Sequence, residues 1–344
     1  MDELLSVRGL DVEFPTEQGS AQVLDRINLD IGHGEVVGLV GESGCGKTTL
    51  ARTILGVLPQ GGGVIRSGEI YFKGRDLLRE DPRVVGDLVR GRAITFIPQD
   101  PWSSMSPLFT VGAQIMDLMK WKSPRRWEGG NPSGGHWPAL FSRYPRGRRR
   151  VDREAVIEIL RAAQIPEPER ALERLPHELS GGQRQRLMIA MALLPSPDLI
   201  IADEPTTALD VTIQAQILRL LRALVKERGV SVLFTTHDLG TAHEICDRIV
   251  VMYAGQEMES APTDAFFQRP AHRYTRRLLD SLPRPDGEIR DIPGEVPSLI
   301  GPPSGCRFHP RCDAATEVCR TRRPASETVT ESHRVRCYHP LTGP

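Results

Sequence analysis

Short apolar runs rich in β-branched residues alternate with amphipathic stretches from Leu4 to about Gly255. The runs have the length of buried strands, and a stretch of helical period follows most of them. A mostly parallel sheet with helices between its strands requires this alternation. We therefore predict an α/β fold with strands at Val36–Val40, Ile94–Ile97, Leu199–Ala202, Val230–Phe234 and Ile249–Met252, and with helices at Lys47–Val57, Thr212–Glu227 and Leu239–Cys246.

The segment Lys120–Arg153 interrupts this pattern. It is rich in Gly, Pro and Arg, holds ten Lys or Arg against two acidic residues, and shows neither strand nor helix period. A solvated surface insertion explains this composition. The alternative is a contact for anionic lipid headgroups or for a partner protein. The residues that favour this alternative are Trp121, Trp127, Trp137, Arg146, Arg148, Arg149 and Arg150.

The composition changes again after about Pro262, where prolines are frequent and the periodic segments end beyond Ala271–Leu282. We predict one domain over residues 1–262, with a helical subdomain at about 100–195 and the basic insertion at about 120–153. Residues 263–344 are predicted to form a small separate extension.

Charge and hydropathy restrict the classes of protein that fit the 344-residue chain. Lys and Arg (44) balance Asp and Glu (44), so there is no global attraction to nucleic acid. No run approaches the roughly 18 apolar residues that span a bilayer, and the first residues lack the layout of a signal peptide. We expect a cytoplasmic chain that reaches a membrane only through partner subunits.

A glycine-rich loop follows the first central strand. Residues 41–48 read GESGCGKT, which fits the pattern G-x-x-x-x-G-K-[ST] between a strand and a helix. Its backbone N–H groups and the helix N-terminus favour phosphate. Lys47 is expected to reach the β- and γ-phosphates and Thr48 to ligate Mg²⁺, while Cys45 is expected to make the site sensitive to thiol reagents. The other predicted nucleotide contacts are Gly41, Ser43, Gly44, Gly46 and Thr49.

Two adjacent carboxylates end the strand predicted at Leu199–Ala202. Neighbouring side chains on a strand point to opposite faces, so Asp203 and Glu204 can do different work. Asp203 suits Mg²⁺, and Glu204 suits a general base that polarises the attacking water. An acidic strand end on its own is more often a solvated end, and the phosphate loop upstream favours the catalytic interpretation.

The pentapeptide LSGGQ at residues 179–183 precedes a predicted helix, Gln185–Leu194. On this motif the chain resembles the ABC ATPase superfamily. The Ser180 hydroxyl and the glycine amides suit a γ-phosphate at a helix N-terminus. The resemblance implies that this phosphate belongs to a second subunit, so a partner ATPase is required. The signature residues are Ser180, Gly181, Gly182 and Gln183.

The resemblance assigns four further residues by position. Gln99 matches the Q-loop glutamine, which senses Mg²⁺ and water, and Asp210 matches the D-loop. His237, 34 residues after Asp203, matches the switch histidine that contacts the γ-phosphate. Phe14 is expected to stack on adenine, although an aromatic residue in a strand is more often core.

Four cysteines lie in the extension with the spacing Cys306-x5-Cys312-x6-Cys319-x17-Cys337. In a reducing compartment two disulfides are improbable, and metal ligation is favoured over the alternative of four unlinked thiols. The tight C-x₂₋₄-C pairs of most zinc sites are absent, and four widely spaced thiolates fit an iron–sulfur cluster at least as well. Zinc and iron–sulfur therefore both remain open on spacing alone.

The segments Gln99–Pro107, Ile201–Gln216 and Pro293–Cys337 narrow the resemblance to the ATPase subunits of oligopeptide/dipeptide permeases. That family implies a [4Fe–4S] cluster and a heterodimeric ATPase pair. It also implies two transmembrane permease subunits and an extracytoplasmic solute-binding protein. Lys120–Arg153 is longer and more basic than the family pattern, so no role is transferred to it.

The implied function is an ATPase that energises peptide import from the cytoplasmic face of the cell membrane, with ATP and Mg²⁺ at its site. Nickel or another small solute is the alternative cargo, because other subunits choose the cargo. An ABC ATPase acting on nucleic acid is the alternative from another class. It predicts a coiled coil, two ATPase domains or a basic face, whereas this sequence indicates one domain, no heptad run and no net charge.

Overall fold

The computed structural model describes residues 3–58, 62–126, 143–206, 210–282 and 291–341. The strands are β1 (Glu3–Thr16), β2 (Gly19–Gly32), β3 (Val36–Val40), β4 (Val64–Phe72), β5 (Arg75–Asp76), β6 (Ile94–Ile97), β7 (Leu199–Asp203), β8 (Ser231–Thr236), β9 (Arg248–Tyr253), β10 (Gln256–Pro262), β11 (Glu327–Thr330) and β12 (His333–Val335).

The α-helices are α1 (Lys47–Ile54), α2 (Pro82–Val84), α3 (Val111–Lys122), α4 (Arg146–Ala162), α5 (Pro168–Ala171), α6 (Gly181–Leu193), α7 (Val211–Arg228), α8 (Leu239–Ile245), α9 (Thr263–Gln268), α10 (Arg273–Asp280) and α11 (Glu317–Thr321). Short 3-10 turns occur at Pro124–Arg126, Pro176–Glu178 and His309–Arg311, and a π-helical turn occurs at Val85–Val89.

The chain forms two units, Met1–Glu80 with Leu233–Pro344, and Asp81–Val232. In the first unit, an antiparallel sheet has the order β2-β1-β4-β5, and further strands follow one another as β11-β12-β10-β9-β3-β8. Strand β3 pairs in parallel with β9, and its five residues are all buried. A strand buried on both faces reads as a continuous apolar run, which explains why β3 was predictable.

In the second unit, β6 and β7 pair in parallel, with Ile97 opposite Ala202. Helix α4 packs against α3 and α6. Its buried residues Val156, Ile159 and Leu160 recur at helical spacing, so one apolar stripe of α4 serves this packing.

The α/β class is confirmed, and the predicted strands lie within two residues of the observed ones. Two helix bounds were wrong. Helix α1 ends at Ile54 rather than Val57, and the signature helix begins at Gly181 rather than Gln185. Gly181 and Gly182 have low helix propensity, and for this reason the sequence pattern predicted the start of α6 four residues too late.

The prediction of an irregular segment over Lys120–Arg153 was wrong at both of its ends, while residues 127–142, with Trp127 and Trp137, lie outside the described residues. Helix α3 runs to Lys122 and helix α4 begins at Arg146. Asp152 is fully buried in α4 and accepts hydrogen bonds from Ser123 Oγ at 2.7 Å and Tyr144 Oη at 2.5 Å. The arginine run is therefore the first turn of a helix whose buried carboxylate holds its neighbours.

Residues 263–341 belong to the same unit as the phosphate loop. Strand β12 pairs antiparallel with β10, and the Gln22 N–H donates to the Leu299 carbonyl at 2.8 Å. Residue 262, where the predicted domain boundary lies, falls within the sequence range of this unit. Among the described helices, none is both long enough and apolar enough to span a bilayer.

Candidate functional site

The loop between β3 and α1 is shaped by glycines with positive φ. Gly41, Gly44 and Gly46 have φ of 152°, 79° and 108°. A Cβ on Gly41 would lie 2.1 Å from the Met252 carbonyl oxygen, and one on Gly46 would lie 2.9 Å from Leu24 and from the Val23 carbonyl. Both conformation and space exclude other residues at these two positions.

Lys47 begins α1 and is buried. Its ammonium group donates to the carbonyl oxygens of Gly41 at 2.7 Å and Glu42 at 3.3 Å. The lysine is thus folded over its own loop, and a buried ammonium group needs such oxygen partners. Of the other predicted contacts, Ser43 is exposed, and Thr48 and Thr49 are half-buried.

Cys45 lies inside the same loop. The residue is 2% exposed, and burial raises the pKa of its thiol, which favours the protonated form. Thiol reagents attack the exposed thiolate. The expected sensitivity of this site to such reagents is therefore not supported.

Two further predicted residues lie in the first unit. His237 is exposed and directly follows β8, the neighbour of β3. Phe14 lies in β1, is half-buried, and stands opposite Ala21 of β2.

Gln99 and Glu204 follow the paired strands β6 and β7 of the second unit. The Gln99 side-chain amide donates to a Glu204 carboxylate oxygen at 3.2 Å. Glu204 has a φ of 46°, in the left-handed region that non-glycine residues seldom adopt, while Asp203 is buried at the end of the strand. The two carboxylates therefore have different surroundings, since Asp203 is buried and Glu204, in the turn after the strand, is half-buried.

The signature motif forms a capping box at the start of α6. Ser180 Oγ accepts from the Gln183 N–H at 3.3 Å, and Gln183 Oε1 accepts from the Ser180 N–H at 3.0 Å. Ser180 is exposed, and Gly181 and Gly182 are half-buried. The motif thus presents a capped helix N-terminus to solvent, with the local positive potential that anions favour.

Asp210 is exposed and caps α7, because its Oδ1 accepts from the Ile213 N–H at 2.9 Å. Ala208 and Leu209 of the predicted D-loop lie outside the described residues. Capping alone explains an aspartate at this position.

The four tail cysteines line one small cavity together with His309 and His339. Cys306 and Cys319 are buried, and Cys312 and Cys337 are half-buried. Burial raises the pKa of Cys306 to about 12, with a further contribution from the neighbouring thiols, and burial also raises the pKa of Cys312 and Cys337. All six cysteines of the chain are free thiols.

In the part of the chain that the structure describes, no group of three or more His, Cys, Asp or Glu side chains is arranged to hold a metal ion. The prediction that the four cysteines gather is consistent with the cavity. The prediction that they bind metal is not supported by their arrangement.

Sequence reasoning missed the contacts that tie the extension to the phosphate loop. Arg311 donates to the Glu42 carboxylate, and Tyr274 Oη accepts from the Glu42 N–H at 3.1 Å. Arginines near cysteines carry no motif that points to a partner far away in sequence. The one available signal was the pair Arg307 and Arg311, four residues apart between Cys306 and Cys312.

Comparison with protein families agrees with the motifs. The model described as "ABC transporter" matches residues 24–207, more than half of the chain. The chain belongs to the ABC transporter family of ATPases. It is therefore an ATP-hydrolysing subunit, as the phosphate loop and the LSGGQ motif predicted. A second model, "Oligopeptide/dipeptide transporter, C-terminal region", matches residues 258–319 of this ABC ATPase.

Similar proteins cover the ATPase almost from end to end. A probable peptide ABC transporter ATP-binding protein of Sinorhizobium fredii is 44% identical over 98% of this chain and 95% of its own. A dipeptide transport ATP-binding protein of Bacillus subtilis is 39% identical over the same shares. Among solved structures, a dimeric ATP-binding cassette with bound ADP and phosphate is 27% identical, with a TM-score of 0.60, and covers 75% of this chain and 98% of that one.

Proposed function

We propose that this ABC ATPase energises the import of peptides. The observation that carries the proposal is the match of residues 258–319 to the oligopeptide/dipeptide C-terminal region. The names of the Sinorhizobium and Bacillus relatives support the same cargo over nearly the full chain.

The phosphate loop holds the nucleotide in this proposal. Lys47 leaves its two carbonyl partners for the β- and γ-phosphates, which offer stronger, charged acceptors. Phe14 stacks on adenine, and Thr48, Gln99 and Asp203 hold Mg²⁺, which neutralises charge on the phosphates. The remaining contacts come from Gly41, Ser43, Gly44, Cys45, Gly46 and Thr49.

Glu204 is the general base, and Gln99 and His237 orient the attacking water and the γ-phosphate. Support comes from the 3.2 Å hydrogen bond between Gln99 and Glu204. An amide that donates to the carboxylate holds it in one orientation, and a positioned carboxylate can accept a proton from the attacking water.

Each ATP in this proposal is shared by two ATPase chains. The capped helix terminus of Ser180, Gly181, Gly182 and Gln183 serves the partner's ATP, and Asp210 lines the same interface. The dimeric cassette found among solved structures supports pairing. We infer a heterodimer with a second ATPase, two transmembrane permease subunits and an extracytoplasmic solute-binding protein, at the cytoplasmic face of the cell membrane.

A [4Fe–4S] cluster at Cys306, Cys312, Cys319 and Cys337 is part of the proposal. Four cysteine thiols are the usual ligand set of such a cluster, and these four line one cavity, although no group of three or more described side chains is arranged around a single metal ion. The bound cluster would hold the extension together as a structural staple or carry one electron. Purification without oxygen, followed by iron and sulfide analysis, tests it. About four irons per chain are expected, whereas colourless protein with stoichiometric zinc excludes the cluster.

Co-purification tests the proposed assembly. The tagged chain is extracted from membranes in detergent and its partners are identified by mass spectrometry. Recovery with a second ABC ATPase and two multi-span subunits is the expected result. Recovery with nucleic acid or ribosomes, and without membrane subunits, would overturn the proposal.

A further inference from the structure

Glu42 is held at three of its groups. Its carbonyl oxygen accepts from Lys47 Nζ and from the Cys45 N–H, each at 3.3 Å. Its N–H and its carboxylate both point to residues of the C-terminal extension. The position of Glu42 therefore fixes one of the two carbonyl acceptors of the phosphate-binding lysine, next to the Gly41 carbonyl, and the path of the loop.

Arg311 makes the contact with the Glu42 carboxylate. Its two terminal nitrogens donate to the two carboxylate oxygens at 2.8 and 3.2 Å, a fork that only arginine can form. The same guanidinium donates to the carbonyls of Ile292 at 3.0 Å and Pro293 at 3.1 Å. The Arg311 side chain is 3% exposed. Such a buried, fully engaged cation holds its partners in one arrangement.

Tyr274 holds the backbone of the same residue. Its hydroxyl accepts from the Glu42 N–H at 3.1 Å, while its ring packs on Tyr253 and Phe308 with centroids 4.6 and 5.3 Å away. Both neighbouring rings are buried. The tyrosine oxygen is thus fixed by an aromatic cluster, and it holds the Glu42 N–H.

Arg307, four residues before Arg311, contacts residues that neighbour the phosphate loop. It is 1% exposed and donates to the Ala254 carbonyl and to Gln22. Gly255, which follows Ala254, donates its N–H to the Cys45 carbonyl at 3.0 Å. The extension therefore contacts the phosphate loop in two ways. Arg311 binds Glu42 directly, and Arg307 binds the Ala254–Gly255 turn, which itself donates a hydrogen bond to Cys45.

We propose that Arg311 is a positioning residue for the phosphate loop, so that the C-terminal extension sets the ATP affinity of this chain. The proposal rests on the nucleotide role given above to Lys47 and is independent of the cargo. A loop that is ordered before ATP arrives loses less conformational freedom on binding, and its affinity is higher for that reason. Without the fork, Glu42 becomes more mobile, and with it the carbonyl that accepts from Lys47 beside that of Gly41.

Equilibrium binding of ATP to the purified full chain tests this proposal. Arg311→Ala and Glu42→Ala are each expected to weaken ATP binding by about tenfold, a typical coupling between sites. The double variant is expected to bind no more weakly than either single variant, because both remove the same interaction. The rate at saturating ATP in the assembled complex is expected to change less than the KM for ATP.

Arg322→Ala is the matched control, since Arg322 is an exposed arginine of the same extension. Its ATP affinity is expected to equal that of the wild type. Lys47→Ala separates the two proposals. If Lys47→Ala keeps full ATP affinity, the nucleotide site itself is wrong. If Lys47→Ala loses binding and Glu42→Ala does not, only the role of Arg311 is wrong.

Folding is checked by thermal unfolding without nucleotide. Should Arg311→Ala fail to fold, Glu42→Ala and Tyr274→Phe carry the test, because Glu42→Ala leaves the carbonyl partners of Arg311 in place and Tyr274→Phe keeps the ring packing. A purely structural contact would lower the melting temperature and leave the dissociation constant for ATP unchanged. That result would overturn the proposal. So would a double variant whose loss of ATP affinity equals the product of the two single losses.

Discussion

Gln99 and Glu204 lie 105 positions apart in the sequence, and their side chains are joined by a hydrogen bond of 3.2 Å. Parallel pairing of β6 with β7 brings the two strand ends together, with Ile97 opposite Ala202. The turn after each strand then carries one partner. Sequence alone predicted both residues, and the pairing of the strands explains why they meet.

Replacement of the proposed base should separate ATP binding from hydrolysis. Glu204→Gln is expected to lower the hydrolysis rate by about 10²–10⁴, because the amide cannot accept a proton. ATP binding should persist, since no phosphate contact is assigned to Glu204. Phosphate release and nucleotide binding are measured on the same preparation, and hydrolysis at the wild-type rate would remove Glu204 from this role.

Replacement of Ser180 should have two separate effects, one on the stability of this chain and one on the ATPase rate of the assembled complex. Ser180→Ala removes the cap of α6 and is expected to cost about 1 kcal/mol of unfolding free energy. Thr110→Ala is the matched control, because Thr110 Oγ1 caps α3 of the same unit by accepting from the Ala113 N–H at 3.3 Å. Both variants should lose similar stability in chemical denaturation.

Only Ser180→Ala should lower the ATPase rate of the complex assembled with the partner ATPase, because only Ser180 is assigned to the partner's nucleotide. Equal ATPase rates in the two variants would mean that Ser180 caps the helix and has no role at the partner's nucleotide.

The buried Asp152 is expected to be the main polar anchor between α3 and α4. Asp152→Ala leaves Ser123, Tyr144 and two nearby arginines without their carboxylate. We expect a loss of about 3 kcal/mol of unfolding free energy. Glu154→Ala, which breaks an exposed pair with Arg150, should change it by less than about 1 kcal/mol. Equal losses in denaturant titrations would contradict the assignment.

His272 should make stability depend on pH. Burial lowers the pKa of this histidine to about 4, from roughly 6.5 in the unfolded chain. The unfolded state therefore binds a proton that the folded state refuses, and the unfolding free energy falls as pH drops from about 6.5 to about 4. Above that window the contribution of His272 is complete.

His272→Asn keeps an acceptor for the Tyr274 N–H, which now donates to His272 Nδ1 at 3.0 Å. It should flatten the fall in unfolding free energy measured by denaturation between pH 6.5 and 4. His33→Asn, at an exposed histidine, is the control and should leave the slope unchanged. A wild-type slope in His272→Asn would assign the pH dependence to other groups.

The parts of the fold that the sequence predicts are those with local signals. Val36–Val40 was placed correctly because a strand buried on both faces is a plain apolar run. The motifs at Lys47, Gln99, Ser180 and Glu204 were recognisable because backbone shape and chemistry restrict each residue type.

What the sequence did not predict depends on long-range packing. We predicted Arg148 and Asp152 to lie in a basic loop, because no local sequence signal shows that the Asp152 carboxylate is buried against Ser123. Arg311 and Glu42 are 269 positions apart, and no periodicity connects them. The arrangement of the four cysteines also depends on how the extension folds back, and spacing alone could not decide their ligand.

Uptake of a labelled dipeptide tests the central claim most directly. The measurement compares cells that lack this chain with cells that regain either the wild type or Glu204→Gln at equal abundance. Restored uptake with the wild type, and none with Glu204→Gln, is the predicted result. Dipeptide uptake that is unaffected by loss of the chain, or equally restored by Glu204→Gln, would contradict an ATPase that drives peptide import.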